Sequence, residues 1–111
     1  VSLAAGLGLL PEAVVDQHFA QRGRIGRLLV AVAQSPHLLG IGIDEDTALC
    51  VEEDRVRVVG SGAVTIIDGR GLDYVNISEL APDEPLALTD ICLHILPPGF
   101  KFDLAARRPI F

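Results

Sequence analysis

Apolar positions recur along this chain in more than one rhythm, and each rhythm predicts an element. In "AVVDQHF" (Ala13 to Phe19) two adjacent β-branched residues precede polar ones, the pattern of a short buried strand with a polar end. Further on, Ile25, Leu28, Leu29, Val32 and Ala33 repeat at three- and four-residue spacings, which predicts an amphipathic helix. Gly23 and Gly26 weaken its first turns, so its start is set near Arg24, and Ser35-Pro36 stops it. From Leu38 the pattern turns to short apolar runs. "LLGIGI", "ALCV", "VRVVG" and "AVTII" read as strands, parted by "DEDT", "EEDR" and "SG" and ended by Asp68-Gly69.

Outside that stretch the signals are thinner. Gly6, Gly8 and Pro11 predict a loop at the opening. A short strand is expected around Tyr74–Ile77, then a loop at "ELAPDEP", then one long strand from Leu86 to Leu96 ended by Pro97-Pro98-Gly99. The tail "FKFDLAARRPIF" is expected to dock its phenylalanines. Neither an internal repeat nor a linker interrupts the chain. A strand and a helix followed by an antiparallel meander reads as the closing part of an α/β sheet whose earlier βα units are absent.

Composition narrows the choices. The 111 residues make one domain, and a formal charge of −6 argues against a general polyanion binder. Half of the residues are hydrophobic and mean hydropathy is high, although aromatic residues are few. Small domains bury a lower fraction of their surface than large ones, so such a chain reads as built to pack against something else. Val1 is not an initiator, the sequence lacks methionine, and "VSLAAGLGLLPE" has no basic residues ahead of its apolar stretch, unlike a signal peptide. This segment reads as the interior of a longer protein. Apolar runs fall short of the roughly 18–20 residues of a membrane span, which predicts a soluble chain with no membrane partner. Cys50 and Cys92 are too few and too far apart for a disulfide framework or a zinc site. Each sits in an apolar run and is expected as a buried free thiol, in keeping with a reducing, cytoplasmic compartment.

The candidate chemistry is concentrated in "DQHFAQRGRIGRLL", Asp16 to Leu29. His18 is expected at the carboxyl end of a strand, where open α/β folds present ligand-binding groups. An imidazole there suits a general base or acid, or else a hydrogen-bonded strand end. Asp16 and Gln17 beside it favour the functional reading, since three polar residues in a row are an odd end for a buried strand. Arg22, Arg24 and Arg27 follow. Their guanidinium groups offer bidentate geometry to carboxylates, whereas cations at a helix N-terminus gain nothing from the helix dipole. They suggest an anion pocket; nucleic acid is disfavoured by the acidic remainder and by the lack of an aromatic stacking platform. In "GIDEDT" the consecutive carboxylates Asp44, Glu45 and Asp46 form an exposed turn, hard-cation ligands without EF-hand spacing, or the acid that orients His18. His37 and His94 read as structural.

Taken together, "GLGLLPEAVVDQHFAQRGRIGRL", "GIGIDEDTAL" and "LHILPPGFKFDLAARRP" resemble the C-terminal part of cyanophycinases, serine peptidases related to aspartyl dipeptidases. The resemblance covers nearly the whole chain, and residues 1–111 are then the C-terminal portion of a single peptidase domain. It implies the α/β three-layer sandwich of class I glutamine amidotransferases, which is flavodoxin-like, here in a part rich in antiparallel strands. It implies a homodimer, and no metal or organic cofactor. The implied substrate is cyanophycin, a polyaspartate bearing arginine on each β-carboxyl group, cut to β-aspartyl-arginine dipeptides; the alternatives are a related peptidase acting on other aspartyl or acidic peptides and a non-catalytic binding module that keeps the arginine pocket. By the same resemblance His18 is the general base and Glu45 the acid that orients it, while Asp16, Gln17, Arg22, Arg24 and Arg27 make the substrate pocket. The nucleophilic serine of such enzymes lies in a Gly-rich elbow of the GTSAGA type, which this sequence lacks. "VGSGAV" offers Ser61 between glycines, but between two strands, and an elbow requires a strand-to-helix turn. The attacking serine is therefore expected in an N-terminal half outside these residues, without which this part is expected to be inactive.

Overall fold

A strand–helix–strand unit organises the molecule, seen in a computed structural model that describes residues 4–6, 10–17, 24–76 and 85–111. Strand β2 (Leu10–Gln17) leads to helix α1 (Arg24–Gln34), and the chain returns as β3 (Leu39–Ile43) parallel to β2 and adjacent to it. The helix forms where the three–four spacing places it, and it lays Leu28 and Val32, both wholly buried, on the sheet. Gly40 on β3 permits the close approach: a Cβ there would lie 2.7 Å from a Val32 methyl and 3.2 Å from Leu28. Residues of β3 alternate, so Gly40 faces the helix while Leu39 and Ile41 face away into the main core.

Around this unit a five-stranded sheet runs in the order β1-β2-β3-β6-β7, with β1 (Ala4–Gly6), β6 (Val64–Asp68) and β7 (Cys92–Leu96). Its β2–β3 pair is parallel and its other pairings are antiparallel. A second, antiparallel sheet has the order β4-β5-β8-β9, from β4 (Thr47–Glu52), β5 (Arg55–Gly60), β8 (Lys101–Asp103) and β9 (Arg108–Ile110). The main core lies between the sheets, where Ile41, Val64, Ile66 and Leu96 of one meet Val56, Val58 and Phe102 of the other. Each such buried side chain contributes about 1.5–3 kcal/mol through removal from water. The described part is thus mixed α/β, mostly sheet, with a helix on one face of the larger sheet and a second sheet on the other.

Several expectations need correction. The opening is not all loop, because β1 pairs with β2, and β2 begins at Leu10 and contains Pro11. Register between the two shifts after Ala5, so Gly6 faces Leu10, and Pro11 sits at this irregularity, where a missing N–H costs least. The expected meander is divided: β3 pairs with β6, while the intervening β4–β5 hairpin belongs to the other sheet. Only an isolated bridge, Val75–Leu88, stands where a strand around Tyr74 was expected, and Ile77 lies outside the described residues. The strand expected from Leu86 begins at Cys92, since Asp90 adopts a left-handed φ of 62° that breaks extended chain. The tail forms β8 and β9, and of its phenylalanines Phe102 is buried while Phe100 and Phe111 are exposed. Both cysteines are exposed rather than buried: Cys50 pairs across the hairpin with the exposed Arg57, and Cys92 lies on an edge strand. No described helix is long and apolar enough to cross a membrane.

Candidate functional site

Parallel pairing brings the two candidate segments to one edge of the sheet. Gln17 is opposite Ile43, so β2 and β3 end side by side. The chain beyond β2 carries His18, and the chain beyond β3 enters the Asp44–Asp46 turn that carries Glu45. Helix α1 opens with Arg24 at this same end, because it runs back antiparallel to β2 before β3 begins. Asp16 is wholly buried and, by strand alternation, on the opposite face of the sheet from the exposed Gln17. Glu45 is exposed at its turn. His18 and Arg22 lie outside the described residues.

Arg27 is exposed in the first turns of α1 and borders an open, mainly apolar groove of about 750 Å³, together with Leu29, Val30, Leu86, Leu88 and Ile91. The first turn of the helix holds no acid, and Arg24 opens it at the positive end of the helix dipole. A ligand carboxylate would be favoured there by both the guanidinium groups and the helix end.

The acidic turn is clasped by the β5–β6 connection. Asp44 accepts the Ala63 N–H at 2.9 Å and donates its own N–H to the Ala63 carbonyl at 3.2 Å. Ser61 donates its hydroxyl to Asp46 Oδ2 at 2.9 Å. This serine joins two strands and no helix follows it, which agrees with its exclusion as an elbow nucleophile.

At the opposite end of the sheet is a charged cluster that local sequence patterns do not reveal. Asp68, the last residue of β6, accepts from Arg107 Nη1 at 3.2 Å and from Arg70, through its backbone N–H at 3.0 Å and its guanidinium at 3.1 Å. Arg107 is itself buried and donates through Nη2 to the His37 carbonyl at 2.6 Å. Burial works against the Asp68 charge, yet the Arg70 hydrogen bonds and the charges of Arg70 and Arg107 outweigh it and hold the carboxyl below its ordinary range. The cluster ties α1's exit, β6 and the β8–β9 connection together, and its charges are spent on one another. His37 takes part through its backbone, with its ring exposed. The half-buried His94 packs its ring on Phe102 at 5.4 Å, with Cys92 Sγ 3.4 Å from its Nε2. Among the described residues no three His, Cys, Asp or Glu side chains converge as a metal site requires.

No protein-family profile matches the chain. Curated proteins named cyanophycinase do: the one from Geminocystis herdmanii is 45% identical over 111 residues, 99% of this chain and 41% of that protein. The Trichormus variabilis protein is 49% identical over 108 residues, covering 96% of the chain and 36% of the relative. For Synechococcus elongatus the figures are 47% over 109 residues, 97% and 34%. The chain therefore spans between a third and about two fifths of the length of these relatives.

Proposed function

We propose that this chain, homologous along its length to cyanophycinases, forms the C-terminal part of a serine-type exopeptidase that degrades cyanophycin to β-aspartyl-arginine dipeptides. The observation that carries the reading is the 45–49% identity to cyanophycinases over nearly the whole chain. In this proposal the fold is the C-terminal part of a glutamine amidotransferase-like sandwich. The nucleophilic serine stands in a strand-to-helix elbow of the remaining chain.

Each residue then has a task. His18 takes the proton from the serine as its oxygen attacks the scissile carbonyl, and returns that proton to the departing amine. It next draws a proton from water, whose oxygen displaces the serine from the acyl-enzyme. Glu45 keeps the imidazole in the right tautomer and stabilises its cationic form. Arg22, Arg24 and Arg27 grip substrate carboxylates by charge-assisted forks, Asp16 meets a guanidinium of the substrate, and Gln17, on the other face of the strand end, completes the pocket. A zwitterionic polymer calls for both kinds of group, and holding its scissile bond in register supplies much of the rate. No metal or organic cofactor enters this chemistry, and the working protein is a cytoplasmic homodimer.

The test is dipeptide release by the full-length protein supplied with cyanophycin. Wild type should liberate β-aspartyl-arginine, and His18→Ala should lose on the order of 10²–10⁴ in kcat. Replacing Arg22, Arg24 or Arg27 with Lys should raise KM, because an ammonium lacks the fork. Binding of the polymer without turnover by the wild type would make the protein a binding module instead.

A further inference from the structure

We infer that Ser61 and Asp46, with the glycines beside Ser61, are positioning residues that fix Glu45 relative to the end of β2. The inference rests on the reading of Glu45 as the acid that orients His18. It concerns what holds that acid in place, and it starts from a physical difficulty. Three consecutive carboxylates in an exposed turn repel one another, and such a turn would sample many conformations on its own. Orientation of a general base tolerates little of this, since supporting groups must hold a site to within about 0.5 Å.

The β5–β6 connection removes the difficulty by taking the two flanking carboxylates for itself. Asp44 Oδ2 accepts the Ala63 N–H at 2.9 Å, and Asp46 Oδ2 accepts the Ser61 hydroxyl at 2.9 Å. The Ser61 N–H donates to the Asp46 carbonyl at 3.0 Å, and the Gly62 N–H donates to Thr47 Oγ1 at 2.9 Å. Thr47 in turn donates its hydroxyl to the Glu45 carbonyl at 3.0 Å. These bonds grip Glu45 by its backbone and employ the carboxylates on either side.

Sterics reinforce the grip. A Cβ on Gly62 would lie 2.7 Å from Asp44 Cβ and 2.7 Å from Thr47 Oγ1. One on Gly60, whose φ is +114°, would collide with the Asp46 carbonyl oxygen. Asp46 itself adopts φ 56°, a left-handed conformation that Asp tolerates better than most residues. The two loops thus meet at backbone distance, and "GSG" serves as the site's clasp rather than as a nucleophile elbow. The turn starts directly after Ile43, the partner of Gln17, so slack in the clasp passes to the spacing between Glu45 and the chain that carries His18.

The experiment measures kcat and KM against pH for dipeptide release by full-length wild type, Glu45→Gln, Ser61→Ala and Ser61→Thr. Ser61→Ala should lower kcat by about tenfold or more with KM within twofold, as a displacement of under 1 Å does. Its acidic limb should also move to lower pH, because an imidazole less well met by a carboxylate binds its proton less tightly. Ser61→Thr keeps the hydroxyl and should restore both. Asp46→Gly tolerates the left-handed φ and should reproduce the Ser61→Ala profile, which guards against a fault peculiar to one variant. Wild-type kcat and pH limb in Ser61→Ala, beside an impaired Glu45→Gln, would overturn the inference and leave the function reading standing. A lower kcat with an unmoved limb would also overturn it, as general loosening. Full activity in Glu45→Gln would instead remove the function reading on which the inference rests.

Discussion

The two ends of the central sheet handle charge in opposite ways. At the end defined by Asp68, Arg107 and Arg70, acid and base face each other inside the protein, and the pairing is completed by the His37 carbonyl. At the end defined by Gln17 and Ile43, the hydrogen bonds fix backbone and flanking groups, and Glu45 and Arg27 remain exposed. One arrangement lowers the energy of the fold; the other keeps charged side chains at a surface where a ligand can use them. Density of charge therefore does not mark a site. What separates the two ends is burial: the paired charges of one are enclosed by the protein, and those of the other lie at its surface.

The largest effect on stability should come from the closed end. Arg107→Ala leaves the Asp68 carboxylate buried with only the half-exposed Arg70 as its cation, and breaking a buried pair in this way costs about 3 kcal/mol. In urea the midpoint should fall with m unchanged. Pairing it with Asp68→Ala should recover part of the loss, since no buried charge is then left alone, and a double-mutant cycle measures the coupling. Activity per folded molecule should stay within twofold. A large loss of activity with little loss of stability would erase the distinction between the ends.

Legibility in the sequence follows the range of the forces concerned. Helix α1 is readable because Leu28 and Val32 report their burial through spacing alone, and β3 and β6 because strands covered on both faces are mainly apolar. The assignment of β4 and β5 to a second sheet is not readable, as it depends on pairing with Lys101–Asp103 more than forty residues later. Likewise nothing near Asp68 announces Arg107, its partner 39 residues away. The cysteines mislead for a simpler reason: "ALCV" is apolar on both faces, so composition hides that Cys50 faces outward with Arg57. Of the candidate site, the chemistry of each side chain is plain from its type. The role of Ser61 is hidden, because it depends on a contact with Asp46, 15 residues earlier.

Helix α1 connects the two ends, and Gly40 tests how firmly it does so. In Gly40→Ala the new methyl would meet a Val32 methyl at 2.7 Å and Leu28 at 3.2 Å, in a place where neither can retreat into solvent. Alanine is otherwise the better strand residue, but overpacking costs about 1–3 kcal/mol and decides the sign. The helix should lift from the sheet and carry Arg24 and Arg27 with it, so on the proposed function KM for cyanophycin should rise along with the loss of stability. Gly26→Ala is the matched control. Nothing lies within 4 Å of its added methyl, and it should stabilise the helix by up to about 1 kcal/mol. Equal KM in both variants would mean that the arginines do not depend on the helix seat.

The smallest effect is a difference in pH dependence between the ends. Asp68 is held below its ordinary value of 3.8, with burial opposing the charge and Arg70 and Arg107 prevailing over it. A carboxyl whose folded pKa lies below its unfolded pKa binds fewer protons in the folded state, so its contribution is complete above the unfolded value and fades as pH falls through the folded one. Wild type and Asp68→Asn should therefore differ by a constant amount of unfolding free energy from neutrality down to about pH 4, the unfolded range of an aspartate. Below that the two curves should converge, as the wild-type carboxyl takes up its proton and loses both cations. On the proposed function, the limb of the activity profile assigned to His18 should sit at the same pH in both proteins. A gap that stays constant to the acid limit would show that Asp68 is not stabilised as the anion, and the closed end would then owe its strength to packing instead of charge.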